Sequence, residues 1–153
     1  MAFDVGDIAP SSGVEQVSLD ELLAQSDVVT LHAPPSPDGP LLDASRLNAM
    51  KDGAVLINTA RGALVDNVAL CALLASGKLS GVGADVFAPE PPSEDDPLLM
   101  APNVFLTPHV AAWNAGVRVE MVELALSSLS ALFEGGRPDN VVNPEVFDRG
   151  LRA

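Results

Sequence analysis

The sequence predicts an α/β fold built on a doubly wound parallel sheet. Two observations carry that prediction. Short apolar runs of strand length alternate with helical segments along most of the chain. Three of those runs also end in polar residues just where a loop begins: Leu56-Ile57 leads into Asn58-Thr59-Ala60-Arg61-Gly62, Gly83-Ala84 into Asp85, and Phe105-Leu106 into Thr107-Pro108-His109. In open α/β sheets ligands bind outside the carboxyl ends of the strands, so this placement gathers polar chemistry on one rim.

In chain order, Met1-Ala2-Phe3 reads as the tail of a strand ending at Asp4, and residues 14–17 as a short second strand. Ser18 and Glu21 form a Ser-x-x-Glu capping box that opens a helix running to Gln25. Val28-Val29-Thr30-Leu31 is a β-branched run suited to a buried parallel strand. Residues 34–40 form a proline-dense loop, Asp43 starts a helix through Met50, and residues 54–58 are the next strand. Asp66 is an N-cap for a helix carrying Leu70, Leu73 and Leu74, which Gly77 ends. Residues 80–86 and 104–107 are further strands, and residues 89–97 between them form a loop rich in proline and acid. A long helix from Asn114 to Glu134 sets Val117, Met121, Leu124, Leu129, Leu132 and Phe133 near helical spacing, and Gly135-Gly136 stops it.

Composition narrows the function classes. At 153 residues the chain is the size of one domain, and with 48% hydrophobic but only 4% aromatic residues its core is built from Ala, Val and Leu. Twenty-one acids against eight bases give a net charge of −13. With no basic run, that charge argues against nucleic acid or an anionic membrane as partner. The single cysteine, Cys71, cannot close an internal disulfide, which suits a reducing cytoplasm. Set among Leu70, Leu73 and Leu74, it reads as packing rather than as a nucleophile. The N-terminal segment has neither the basic region nor the apolar run of a signal peptide or membrane span. No metal is expected.

Seven segments, in this order and spacing, resemble the D-isomer-specific 2-hydroxyacid dehydrogenases, a family that includes D-3-phosphoglycerate dehydrogenase and glyoxylate/hydroxypyruvate reductase. They are Ser18-Leu19-Asp20-Glu21-Leu22-Leu23, Asp27-Val28-Val29-Thr30-Leu31-His32-Ala33-Pro34, Met50-Lys51-Asp52-Gly53-Ala54-Val55, Leu56-Ile57-Asn58-Thr59-Ala60-Arg61-Gly62, Gly83-Ala84-Asp85-Val86-Phe87-Ala88-Pro89-Glu90-Pro91, Thr107-Pro108-His109 and Asn140-Val141-Val142-Asn143-Pro144-Glu145-Val146. The resemblance implies a Rossmann-like NAD-binding domain over residues 1–136 and a tail over residues 137–153 that returns to a separate substrate domain. The first strand of that fold and its Gly-x-Gly-x-x-Gly turn have no counterpart here, so the domain starts at the second strand and is expected to be truncated. In the strand order 3-2-1-4-5-6 the first strand is central, and its loss leaves a gap between strands two and four.

The resemblance also implies roles. His109 matches the family's acid/base; a histidine titrates near working pH and can pass a proton to or from a carbonyl oxygen. Glu90 matches the glutamate that pairs with it, stabilising the imidazolium and fixing the tautomer. Arg61 matches the arginine that clamps the substrate carboxylate through two parallel bonds. Asp4 stands where an acid binds the adenosine ribose and repels a 2′-phosphate, which favours NAD over NADP. Asp85 matches the position at the nicotinamide end. Ala33, Pro34, Thr59, Ala60, Arg61, His109, Ala111 and Ala112 match positions lining the cofactor crevice, while His32 reads as structural.

Two departures from the family pattern stand out. The loop Pro35-Ser36-Pro37-Asp38-Gly39-Pro40 lacks the usual Thr-x-x-Thr, and Trp113 is offset by one position. The expected function is hydride transfer between NAD(H) and C2 of a small 2-keto or 2-hydroxy acid, impaired in this chain. A homodimer is expected of the full-length protein. The alternative from another class is a non-catalytic NAD-sensing or dimerising module of the same fold.

Overall fold

The apolar runs at Val28–Leu31 (β1), Val55–Asn58 (β2), Gly81–Ala84 (β3) and Val104–Leu106 (β4) line up in chain order as a four-stranded parallel sheet. They do so in a computed structural model that describes residues 1–9 and 13–149. The last four residues of the expected tail therefore lie outside the described residues. The register sets Leu31 beside Asn58, Asn58 beside Ala84 and Ala84 beside Leu106. All four strands thus end on one row, and whatever follows them lies along a single edge.

The helices between the strands start where the caps dictate. Ser18 accepts from Glu21 N–H (3.2 Å) ahead of α1 (Leu19–Gln25), and Asp43 from Arg46 N–H (2.8 Å) ahead of α2 (Ala44–Ala49). Asp66 accepts from Ala69 N–H (3.1 Å) at the start of α3 (Asn67–Ser76), and Gly77 ends that helix at φ 77°, a left-handed turn that a glycine adopts without steric cost. The capping box at α1 is half made, since Glu21 accepts from Gln25 Nε2 (3.1 Å), one turn further on. A fourth helix, α4 (Pro97–Met100), starts on the last residue of the expected loop and lies in a stretch for which the sequence predicts no element. Asp96 caps it through Leu98 N–H (2.9 Å) and Pro97 supplies its first turn, a local signal that the surrounding proline and acid masked.

One core joins these elements: Leu23 of α1, Leu47 of α2, Leu70 and Leu74 of α3, and Leu98 of α4 pack with Val29, Leu31, Leu56, Val82 and Ala84 of the strands. Cys71 is half-buried against this core, and burial followed by the charge of Asp96 pushes its thiol up from the ordinary value, as suits a packing residue.

Two sequence-based readings change. β1 alternates between exposed and buried residues instead of being buried throughout, as β2 and β3 alternate between half-buried and buried, and Val28, at the sheet edge, is 59% exposed. The strands read at residues 1–3 and 14–17 reduce to one parallel bridge between Ala2 and Gln16, held by Ala2 N–H to Glu15 O (2.8 Å) and Val17 N–H to Ala2 O (2.9 Å). A pair with no third strand beside it gains too little burial to extend.

The chain divides into two compact units, Met1–Ala111 and the residues from Ala112 on, so the long helix and the tail expected after residue 136 fall together in the second. That unit holds α5 (Ala115–Phe133), capped by Asn114 through Val117 N–H (2.9 Å), with Gly135 at φ 77° just beyond its end. No residue of α5 is buried, and its exposed apolar residues include Val119, Val122 and Leu126 besides Met121, Leu124, Leu129, Leu132 and Phe133 of the expected stripe, while Val117 is half-buried. Among the described residues no helix is long and apolar enough to cross a membrane.

Candidate active site

The rim begins at Asn58, the last residue of β2. It is buried at 4% exposure, and both ends of its amide are used: Oδ1 accepts from Ala60 N–H (3.1 Å), and Nδ2 donates to Arg61 O (2.9 Å). The turn Thr59-Ala60-Arg61 is thereby bound to the strand that precedes it. Arg61 is extended and exposed, and its Nη1 donates to Ala60 O (2.6 Å). Gly62 then packs directly on the backbone of Phe87 and Ala88, which come from the end of the next strand.

Asp85 follows β3 and is buried at 3% exposure. It accepts from the Thr107 hydroxyl and from Val110 N–H (2.8 Å) through Oδ1, and from Ala111 N–H (2.8 Å) through Oδ2. Beyond it, Phe87 N–H donates to Glu90 Oε1 (2.7 Å), and Glu90 Oε2 meets Nδ1 of His109 at 2.8 Å. His109 is exposed, has φ 54° and follows β4 by three residues.

Phe87 N–H first, then the bond to His109 and the nearby charges of His109 and Arg61, hold the Glu90 carboxyl below the usual range, so it is ionised at neutral pH. Burial pushes Asp85 up, but its bonds from Thr107, Val110 and Ala111, with the charge of His109, outweigh that and hold it below its ordinary value. A carboxyl lowered in the folded state contributes stability that is complete above its unfolded value and is lost as the pH falls through the folded one. Urea titrations at about pH 5 and about pH 2 are therefore expected to show a loss of stability that is smaller in Asp85→Asn than in the parent, because part of it belongs to this carboxyl.

Two groups stand out among the sequence-derived residues. Arg61, Glu90 and His109 follow three adjacent strands on one rim, with Glu90 and His109 in contact and Arg61 bonded to Ala60. Beside the last two lies a hollow of about 560 Å³ that Phe87, Leu99 and Leu106 also line. Asp4, Ala33 and Pro34 line a separate cleft of about 830 Å³ between the N-terminal segment and β1. Asp4 Oδ1 accepts from Gly6 N–H (2.8 Å), and His32 pairs with the Thr30 hydroxyl (3.0 Å). Thr59 and Ala60 sit in the Asn58 turn, Ala111 on Asp85, and the exposed Ala112 accepts from Asn114 N–H (2.9 Å). Among the described residues no group of three or more His, Cys, Asp or Glu could hold a metal. Asn58 and Thr107 escaped the sequence reading. A polar residue closing an apolar strand was the signal available for both.

Comparison with known proteins matches residues 4–111 to the family model described as "D-isomer specific 2-hydroxyacid dehydrogenase, NAD binding domain". The chain is 42% identical over 141 residues to a glyoxylate reductase of Korarchaeum cryptofilum, covering 92% of this chain and 42% of that protein. It is 43% identical over 145 residues to a glycerate dehydrogenase of Methylorubrum extorquens, covering 93% and 44%. The crystal structure of D-lactate dehydrogenase with NAD+ from Lactobacillus jensenii superposes with a TM-score of 0.83 at 30% identity, over 92% of this chain and 47% of that one. The chain thus spans less than half the length of the curated relatives named here. With the strand ends, the Glu90–His109 pair and the match over residues 4–111 in agreement, the chain belongs to the D-isomer specific 2-hydroxyacid dehydrogenase family, in the part that forms its NAD binding domain.

Proposed function

We propose that this chain supplies cofactor-binding and proton-transferring residues for the interconversion of a small 2-keto acid and its 2-hydroxy acid. The observation that carries the reading is the 2.8 Å contact between His109 Nδ1 and Glu90 Oε2 on the rim that also bears Arg61. The residues present fit NAD. The cleft of about 830 Å³ lined by Asp4, Ala33 and Pro34 is of ligand size, and Gly6 N–H orients the Asp4 carboxylate, an acceptor for ribose hydroxyls and a repeller of a 2′-phosphate. Thr59, Ala60, Asp85, Ala111 and Ala112 are the further positions proposed along the cofactor.

Bound NADH supplies the hydride. Arg61 binds the substrate carboxylate with two parallel N–H bonds, which fixes the carbonyl relative to the rim. Glu90 occupies Nδ1 of His109, so the proton passes to the carbonyl oxygen from Nε2, and the ionised glutamate stabilises the imidazolium whenever that ring is charged. Keto-acid reduction consumes that proton, and hydroxy-acid oxidation returns it to the same nitrogen. A second copy of the chain is the proposed partner, supported by the many exposed apolar residues of α5, among them Met121, Val122, Leu126 and Leu129, since exposed apolar surface of this kind is ordinarily covered. A cytoplasmic location is proposed from the lone, half-buried Cys71.

The reading is tested in a polypeptide that carries these residues in frame behind a Gly-x-Gly-x-x-Gly turn. NADH is expected to be oxidised with glyoxylate or hydroxypyruvate. In Arg61→Ala the KM for the keto acid is expected to rise about tenfold to a hundredfold, the worth of hydrogen bonds to a charged group. Absence of turnover with every small 2-keto acid tried would remove the assignment.

A further inference from the structure

Asp85, the residue after β3, has a buried carboxylate whose three hydrogen-bond donors come from one short stretch on both sides of His109. Oδ1 accepts from the Thr107 hydroxyl and Val110 N–H, and Oδ2 from Ala111 N–H. Between those donors His109 stands at φ 54°, in the left-handed region that a residue with a side chain keeps only when its surroundings enforce it. The turn is closed further by His109 N–H donating to Thr107 O (3.1 Å). Hydrogen bonds to an ionised carboxylate are among the strongest available to a loop, and here two backbone N–H groups and one hydroxyl converge on a single side chain.

We infer that Asp85 is a positioning residue for His109, strapping residues 107–111 into the turn that aims the imidazole at Glu90. The inference rests on the proposed role of His109 as proton carrier, and it adds a function for Asp85 besides the cofactor contact implied by the family resemblance. The logic is geometric. None of the three donors belongs to a strand or a helix, so the strap serves the loop and leaves the sheet's own hydrogen bonding to the backbone. If His109 relaxed to negative φ, its ring would swing off the line to Glu90 Oε2 and the 2.8 Å contact would be lost.

The test uses the 153-residue chain and isotope-edited NMR, with no requirement for turnover. In Asp85→Asn the Val110 and Ala111 amides are expected to exchange about tenfold to a hundredfold faster, the worth of a hydrogen bond to a charged acceptor. The ring nitrogens of His109 are expected to lose the signature of a proton held on Nδ1 by Glu90. Thr107→Val should shift the same ring signals part of the way, and Thr107→Ser, which keeps the hydroxyl, should restore them. Glu90→Gln should remove the ring signature while leaving the two amides protected. Unchanged ring signals in a folded Asp85→Asn protein would overturn the inference. So would exchange that speeds equally throughout β1–β3, which would mark a role in the fold alone. Failure of the dehydrogenase reading would appear elsewhere, as absence of turnover with these NMR signatures intact.

Discussion

Gly62→Ala is expected to lower the unfolding free energy by about 3 kcal/mol, the upper end of the ordinary cost of overpacking. The added Cβ would lie 2.1 Å from the carbonyl carbon of Phe87, 2.3 Å from its oxygen and 2.6 Å from the nitrogen of Ala88. These are backbone atoms, so no side-chain rotation relieves the clash. The loops after β2 and β3 must move apart. That movement reaches the rim, because Phe87 N–H holds Glu90 Oε1 and Glu90 in turn holds His109. Urea unfolding read by far-UV circular dichroism measures the first effect, and the His109 ring signals report the second. A stability within about 0.5 kcal/mol of the parent, the range of an ordinary surface change, would show that the two loops are not in contact as described.

His109→Gln carries the largest expected effect on rate. In a polypeptide with measurable turnover, kcat is expected to fall about a hundredfold to ten-thousandfold, the usual worth of a positioned general acid. Stability should change little, since the side chain is exposed and its described side-chain bond is the one to Glu90. Glu90→Gln should fall between the parent and His109→Gln, because a neutral amide still accepts a hydrogen bond from the ring but no longer favours the imidazolium. A kcat for His109→Gln within a factor of about three of the parent would leave no room for proton transfer through this ring.

Much of the first unit could be read residue by residue. The helices begin at Ser18, Asp43 and Asp66, where a side-chain oxygen takes the first free N–H groups, and α3 stops at Gly77. Such signals act within one turn of the chain and need no knowledge of what lies across the core. Misreadings arose where a neighbour distant in sequence decides the outcome. Val28-Val29-Thr30-Leu31 has the composition of a strand buried on both faces, yet β1 lies at the sheet edge with Val28 in the open. Residues 1–3 and 14–17 have strand composition but keep only the Ala2–Gln16 bridge. In α4 the cap at Asp96 was legible, but it was hidden among four acids and several prolines that all read as loop.

The candidate site divides in the same way. The sequence by itself determined that an arginine, a glutamate and a histidine follow successive strands, because strand periodicity and the polar residue ending each run are local properties. Only the tertiary structure decided that Leu31, Asn58, Ala84 and Leu106 share one row, that Phe87 N–H holds the Glu90 carboxylate 2.8 Å from His109, and that Asp85 binds the histidine's own turn. Those outcomes depend on strand register and on backbones meeting at Gly62, contacts between residues 19 to 27 positions apart that no local pattern encodes.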